Sequence, residues 1–330
     1  EKIKIQTIKE HTDNVVNLIS LNLQNLELNS FLKMVAILHD LGKYSDDFQN
    51  YIRTAIEKEN DGSYEQWIKR VEKHDHGVYG ALYIEKKIVI NSPLEKIVSD
   101  IMKMVICYHH GGLNDCVNSE YSVPLYKRFE KCNDDIPDSI IDRFNKDYNI
   151  NIQQLFSEAC SEFNSLSKKL FIFNKERSFI LHLIIKLIYS ALIDADRTDA
   201  YLFEAETEIK PIELSNKIDE YIKLLDNKIN QFSLVKTNSK FMQAVNEIRS
   251  SISRDCLISA DKEQGIYKLT VPTGGGKTLS SLRFALHHAK KRNLNRIIYI
   301  LPYTTIIEQN ASVVRDALKC NDELLEYHCN

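Results

Sequence analysis

An apolar run from Phe31 to Leu38, broken only by Lys33, ends on His39-Asp40-Leu41-Gly42-Lys43. A His beside an Asp sets a nitrogen donor next to a carboxylate that can bridge two cations. By itself the pair says little, because a helix end followed by Gly accounts for it equally well. The other histidines change that balance. Six of the ten, His11, His39, His74, His76, His109 and His110, fall within the first 110 of 330 positions.

The segments that carry them read as helices. Residues 9–26 place Val15, Val16, Leu18, Ile19, Leu23 and Leu26 close to helical spacing, with His11 near the start. Residues 30–40 form a second helix, with Ser30 as its cap and Gly42 as its end. Residues 46–57 form a short third. His74-Asp75-His76-Gly77 opens a helix to about residue 90, and Pro93 starts another that ends in Tyr108-His109-His110-Gly111-Gly112. The paired glycines let the backbone turn sharply there. Residues 113–150 are polar and punctuated by Pro124 and Pro137, and helices follow over 151–168 and 175–198.

Period-two alternation is almost absent up to about residue 205, so this region is expected to be all-α, with amphipathic helices over 212–232 and 239–253 as a connector. The pattern then changes. Residues 265–271 read as a strand, a Gly-rich turn follows, then a helix over 278–291 and a strand over 296–301. That order opens a parallel α/β sheet. The fold class is therefore mainly α, with domains over 1–205 and 256–330 joined by 206–255. The length also favours two cores over one.

A net charge of −3 gives no global basic field, although a local groove suffices for nucleic acid. The seven cysteines form no CxxC pair and read as reduced thiols of a cytosolic protein. Phe179 to Ile193 is too short and too polar to span a bilayer, so it is expected to be a buried helix, with His182 as a core histidine. The chain opens without Met and stops as its second domain begins, which suggests part of a longer protein.

The candidate ligands each fall at an expected helix terminus: His11, His39-Asp40, His74 or His76, His109-His110, and Asp194 or Asp196. Helix ends of a bundle can converge on one pocket. Five imidazoles and two carboxylates suit a pair of Mn, Fe, Co or Ni ions better than Mg, which prefers oxygen. A carboxylate between two such ions holds them about 3.5–4 Å apart, the spacing that clamps a phosphoryl centre.

The ordered set His11, His39-Asp40-x-x-Lys43, His76-x-x-x-Gly80-Ala81, His109-His110-Gly111 and Asp196 resembles the HD phosphohydrolase domain. More narrowly, it resembles the nuclease domain of the type I CRISPR-associated nuclease-helicase. The resemblance implies an all-helical HD bundle with one metal on His11, His39, Asp40 and Asp196. It implies a second on Asp40, His76, His109 and His110, and it places Lys43 beside the scissile phosphate. It also favours Asp196 over Asp194, because the family ligand directly precedes the position of Arg197.

Thr273-Gly274-Gly275-Gly276-Lys277-Thr278 lies between an expected strand and an expected helix, the setting of a phosphate loop. Backbone amides would cradle phosphates, Lys277 would reach the terminal ones, and Thr278 would hold Mg²⁺. Val271 replaces the first Gly of the usual P-loop, and the pattern instead resembles superfamily 2 helicases. Thr304 and Thr305 resemble that superfamily's DNA-backbone contacts, with helix capping as the plainer use. No acidic Asp-Glu box follows.

The resemblance thus implies a RecA-like helicase domain in part only, with ATP and Mg²⁺ as cofactors of a full-length protein. The expected function is a metal-dependent nuclease on single-stranded DNA, recruited by an RNA-guided CRISPR surveillance complex in a prokaryotic cytoplasm, with no membrane partner. The alternatives are an HD-type nucleotide phosphohydrolase and an inactive nucleotide-binding adaptor.

Overall fold

Thr7 starts the first helix with a reciprocal cap. Its hydroxyl accepts the Glu10 amide at 3.1 Å, and the Glu10 carboxylate accepts the Thr7 amide at 2.9 Å. Helix α1, Ile8–Asn22, therefore begins one turn before His11. The computed structural model describes residues 4–63, 76–115, 122–130, 132, 135–170, 176–207, 214–234, 239–320 and 323–327. They fall into two units, Glu1–Glu208 and Ile209–Asn330.

The first unit is all-helical. After α1 come α2 (Asn29–Leu38), a 3-10 turn over Leu41–Tyr44, α3 (Asp46–Asn60), α4 (Val78–Lys87) and α5 (Pro93–Tyr108). Then follow α6 (Pro124–Glu130), α7 (Asp138–Asp147), α8 (Ile152–Leu170) and α9 (Arg177–Ala205). Helix α2 is the centre: Phe31, Leu32, Met34, Val35, Ala36, Ile37 and Leu38 are all buried. It packs on α8, where Phe31 stacks on Phe163 at 6.0 Å, and on α1. Each such large apolar side chain contributes about 1.5–3 kcal/mol on burial.

Two glycines set the distances near the end of α2. A Cβ on Gly80 would lie 1.9 Å from the Leu38 carbonyl oxygen, and one on Gly42 would lie 2.3 Å from the His76 carbonyl oxygen. Only glycine lets α4 approach α2 this closely.

Ser30 is not the cap of α2. It lies inside the helix, whose cap position is Leu28 and makes no side-chain bond. The Glu162 carboxylate on α8 does that work, accepting the Ser30 amide at 2.9 Å and the Phe31 amide at 3.1 Å.

Helix α9 differs from expectation in length and burial. Nothing between Arg197 and Ala205 breaks it, so Asp196 sits well inside the helix. By length and composition alone α9 could cross a membrane. Its inner face, with Ile184, Ile188, Ala191, Leu192 and Ala195, enters the bundle core, whereas Phe179, Leu183 and Leu187 stay exposed. It is thus half-buried rather than buried, and His182 is exposed. The helix expected over 175–198 runs instead over Arg177–Ala205, because its buried face continues past Ile193 through Ala195 and Asp199.

The second unit holds α10 (Leu214–Leu234), α11 (Lys240–Ser259), α12 (Lys277–Arg292) and α13 (Thr304–Leu318). Leu225, Leu282, Leu286, Ala289, Val314 and Leu318 form its core. No strand occurs among the described residues, so neither 265–271 nor 296–301 is one. A strand is defined by its ladder, and parallel ladders are stable when both faces are covered. Here Ile266, Ile298 and Ile300 are 103%, 78% and 92% exposed.

Candidate metal centre

Four helices and one turn deliver the side chains. His11 comes from the first turn of α1, His39 and Asp40 from the end of α2, and His76 from the residues before α4. His109 and His110 follow α5, and Asp196 projects from the inner side of α9. His11, His39, Asp40 and Asp196 each offer a donor atom within 4.8 Å of the others, and so do Asp40, His76, His109 and His110. Asp194 lies apart: it is exposed and accepts Asn22 Nδ2 at 2.9 Å. His74 lies outside the described residues.

Asp40 belongs to both groups, and its two oxygens divide them. Oδ2 lies 3.3 Å from His11 Nε2 and 3.2 Å from His39 Nε2. Oδ1 lies 3.4 Å from His76 Nε2 and 3.7 Å from His109 Nε2. Asp196 Oδ1 completes the first group at 3.2 Å from His11 Nε2 and 3.8 Å from His39 Nε2. His76 Nε2 and His110 Nε2 approach to 2.6 Å in the second.

These donors fit cations. Nε2 of His11, His39 and His109 and Oδ1 of Asp40 are buried without a hydrogen bond. Leaving so many polar atoms unpaired costs about 1–3 kcal/mol each. Bonds of roughly 2.0–2.2 Å to a shared ion put neighbouring donors about 3–3.5 Å apart. The carboxylate-to-imidazole separations of 3.2 to 3.8 Å are close to that, whereas His76 and His110 at 2.6 Å would have to part to share an ion.

The imidazoles are oriented from behind. His39 Nδ1 donates to the Ala36 carbonyl and His109 Nδ1 to the Ile106 carbonyl, both at 2.6 Å. His11 Nδ1 donates to Asp199 Oδ2 at 2.6 Å. In each ring this leaves the Nε2 lone pair for the site.

Charge balance follows from the same crowding. Burial opposes a charge on His11, but the Asp196 and Asp40 carboxylates outweigh it and raise its pKa to about 10. Burial also opposes His39, where Asp40 and Asp196 prevail and lift it to about 9. Burial would raise Asp40, yet His39 and Lys43 hold its carboxyl well below the usual range. Asp196 is lowered in the same way, with His11 and His39 overcoming its burial. Lys43, in the 3-10 turn, rests its ammonium on Asp40 Oδ2, and this contact raises its pKa against burial. His110 is pushed down to about 4 by burial and by neighbouring His109 and His76.

Sequence reasoning missed Asp199. It is 3% exposed and lies one turn beyond Asp196 on the same face of α9. The spacing Asp-x-x-Asp was the available signal, since i and i+3 share a helix face.

In the second unit, Gly274 and Gly276 adopt φ of 79° and 78°, the left-handed backbone that turns successive amides inward. Lys277 begins α12 directly after them, with Thr278 next. Thr273 is exposed, and Gly275 is buried against Val271 and Ile252. Arg249 Nε on α11 donates to the Gly274 carbonyl at 2.8 Å. Thr304 and Thr305 open α13, but its cap residue is Tyr303 and no side chain caps it, so capping does not account for either threonine.

A family model described as Cas3, HD domain, matches residues 5–173. A second, described as Type III restriction enzyme, res subunit, matches residues 234–327. The first spans His11 through His110 and ends before Asp196. No curated protein matches the chain.

Proposed function

Since the chain belongs to the Cas3 HD-domain family of CRISPR-associated HD nucleases, we propose that its first unit is a metal-dependent nuclease that cuts single-stranded DNA. The observation that carries this reading is Asp40, whose two oxygens face two separate sets of imidazoles. We assign His11, His39, Asp40 and Asp196 to one cation, and Asp40, His76, His109 and His110 to the other. The donor set, rich in nitrogen, suits Mn, Fe, Co or Ni.

Divalent cations held there would supply water activation and charge neutralisation at a phosphodiester. The protein's part is placement. Asp40 fixes the spacing of the two donor groups because it is buried at the end of a rigid core helix. His39 and His109 keep their Nε2 inward because backbone carbonyls hold their Nδ1 atoms. Lys43, already on the bridging carboxylate, lies where its ammonium can reach a phosphate oxygen or the departing oxygen as charge builds there.

In this reading residues 1–205 form the nuclease domain, 206–255 a connector and 256–330 part of a RecA-like helicase domain. The loop Thr273–Thr278 binds ATP with Mg²⁺, and Thr304 and Thr305 contact the DNA backbone. A longer protein of this build would be brought to DNA by an RNA-guided surveillance complex in a prokaryotic cytoplasm. The nuclease unit would cut without ATP.

The test is incubation of the chain with an end-labelled single-stranded oligonucleotide, a duplex and deoxynucleoside triphosphates. We expect Mn²⁺-dependent cutting of the single strand, blocked by chelator. Hydrolysis of the free nucleotides with the strand left whole would favour a nucleotide phosphohydrolase and overturn this reading.

A further inference from the structure

The three inner histidines are not held alike. His39 and His109 are the residues that end α2 and α5, where the carbonyl three positions back has no helical partner. Each ring takes that orphan carbonyl for its Nδ1. His11 stands in the first turn of α1, where the carbonyl three positions back serves the helix ladder. It needs an acceptor from elsewhere, and finds one 188 positions away in Asp199.

Asp199 is built for that task. It is 3% exposed, and three N–H donors converge on its two oxygens. Oδ2 accepts His11 Nδ1 at 2.6 Å and Gln6 Nε2 at 2.9 Å, while Oδ1 accepts Asn14 Nδ2 at 2.7 Å. A carboxylate accepts all three. An amide has one oxygen, so one donor would meet an NH₂ group instead.

A charged acceptor behind an imidazole strengthens it as a donor more than a neutral carbonyl does. We infer that Asp199 is the positioning residue for His11 and makes the cation site of His11, His39, Asp40 and Asp196 the tighter of the two. This rests on the paired-cation reading above. It adds that the sites fill unequally: the Asp199-backed site loads first, and the site with the exposed His110 loads second.

The experiment is a Mn²⁺ titration of the whole chain followed by electron paramagnetic resonance, with Asp199→Asn and Asn14→Ala in parallel. The unmodified chain should show a tight and a weak site. Asp199→Asn should weaken the tight site by about 10–100-fold and leave the weak one within about threefold. Asn14→Ala keeps the carboxylate and should stay near the parent. A structural role alone would not change the ratio between the sites.

Equal weakening of both sites, or none, in a parent that binds two ions overturns the inference and leaves the paired-cation reading standing. A parent that binds no ion overturns both. Should Asp199→Asn not fold, ¹⁵N spectra of the parent's histidines decide. His11 should carry its proton on Nδ1, and a proton on Nε2 in the loaded protein would refute the inference.

Discussion

Gly80→Ala should damage the fold and the site together. Alanine in a helix ordinarily gains about 1 kcal/mol over glycine. Here the new Cβ would stand 1.9 Å from the Leu38 carbonyl oxygen, 2.8 Å from its carbon and 2.9 Å from Ile106 Cγ2. The first two are backbone atoms, so no rotamer change relieves the clash, and the two segments must part by about 1 Å in a close-packed interior. Overpacking of this kind costs about 3 kcal/mol, the upper part of the usual range.

The net loss is about 2 kcal/mol, roughly a thirtyfold shift toward the unfolded state. Because Leu38 directly precedes His39 and Asp40, and Gly80 follows His76 by one turn, the same separation pulls the two donor groups apart. A misplacement of about 1 Å can cost about a hundredfold in rate. The assay is thermal unfolding of the chelated protein by circular dichroism, with strand cleavage in Mn²⁺. Gly111→Ala is the control, since a Cβ there meets nothing within 4 Å. If Gly80→Ala melts and cuts like the parent while Gly111→Ala behaves the same, the close approach of α4 to α2 does not hold the site.

Three further outcomes follow from other contacts. In the metal-free protein His11 and His39 titrate at about 10 and about 9, above the ordinary 6.5. The stability this contributes is complete below pH 6.5 and fades as pH rises through 9 to 10. Cation loading must expel the same protons, so Mn²⁺ affinity should climb from pH 6 to pH 8, with proton release seen by calorimetry in two buffers; a flat profile refutes it. Glu162→Ala should cost about 1–2 kcal/mol by uncapping α2, and Ser30→Ala about 0.5 or less, compared by denaturant melts; the reverse order would restore Ser30 as the cap. Arg249→Ala frees the Gly274 carbonyl and should weaken MgADP binding about tenfold in a fluorescence titration, and unchanged binding would show that the loop needs no such tie.

Much of the candidate site was legible because its candidate donors sit next to glycines and helix ends, which sequence marks strongly. His39-Asp40, His76 and His109-His110 all carry such punctuation. Asp196 joins the first donor group, but it lies inside its helix rather than near the end, since no Gly or Pro stops α9 there. Asp199 and Glu162 act on residues 188 and 132 positions away, and no local pattern announces a partner at that distance. The apolar segments 265–271 and 296–301 have strand composition, but composition fixes only a preference. The ladder depends on neighbours, and the described residues supply none.

In the proposed site Asp40 bridges two cations. The most direct test of this bridge is the electron paramagnetic resonance of the chain loaded with two equivalents of Mn²⁺, beside Asp40→Ala. Two ions sharing one carboxylate, about 3.5–4 Å apart, must show exchange-coupled spectra, and removing the carboxylate must abolish the coupling. Two uncoupled ions in the parent, or coupling that survives in Asp40→Ala, would show that Asp40 does not bridge them.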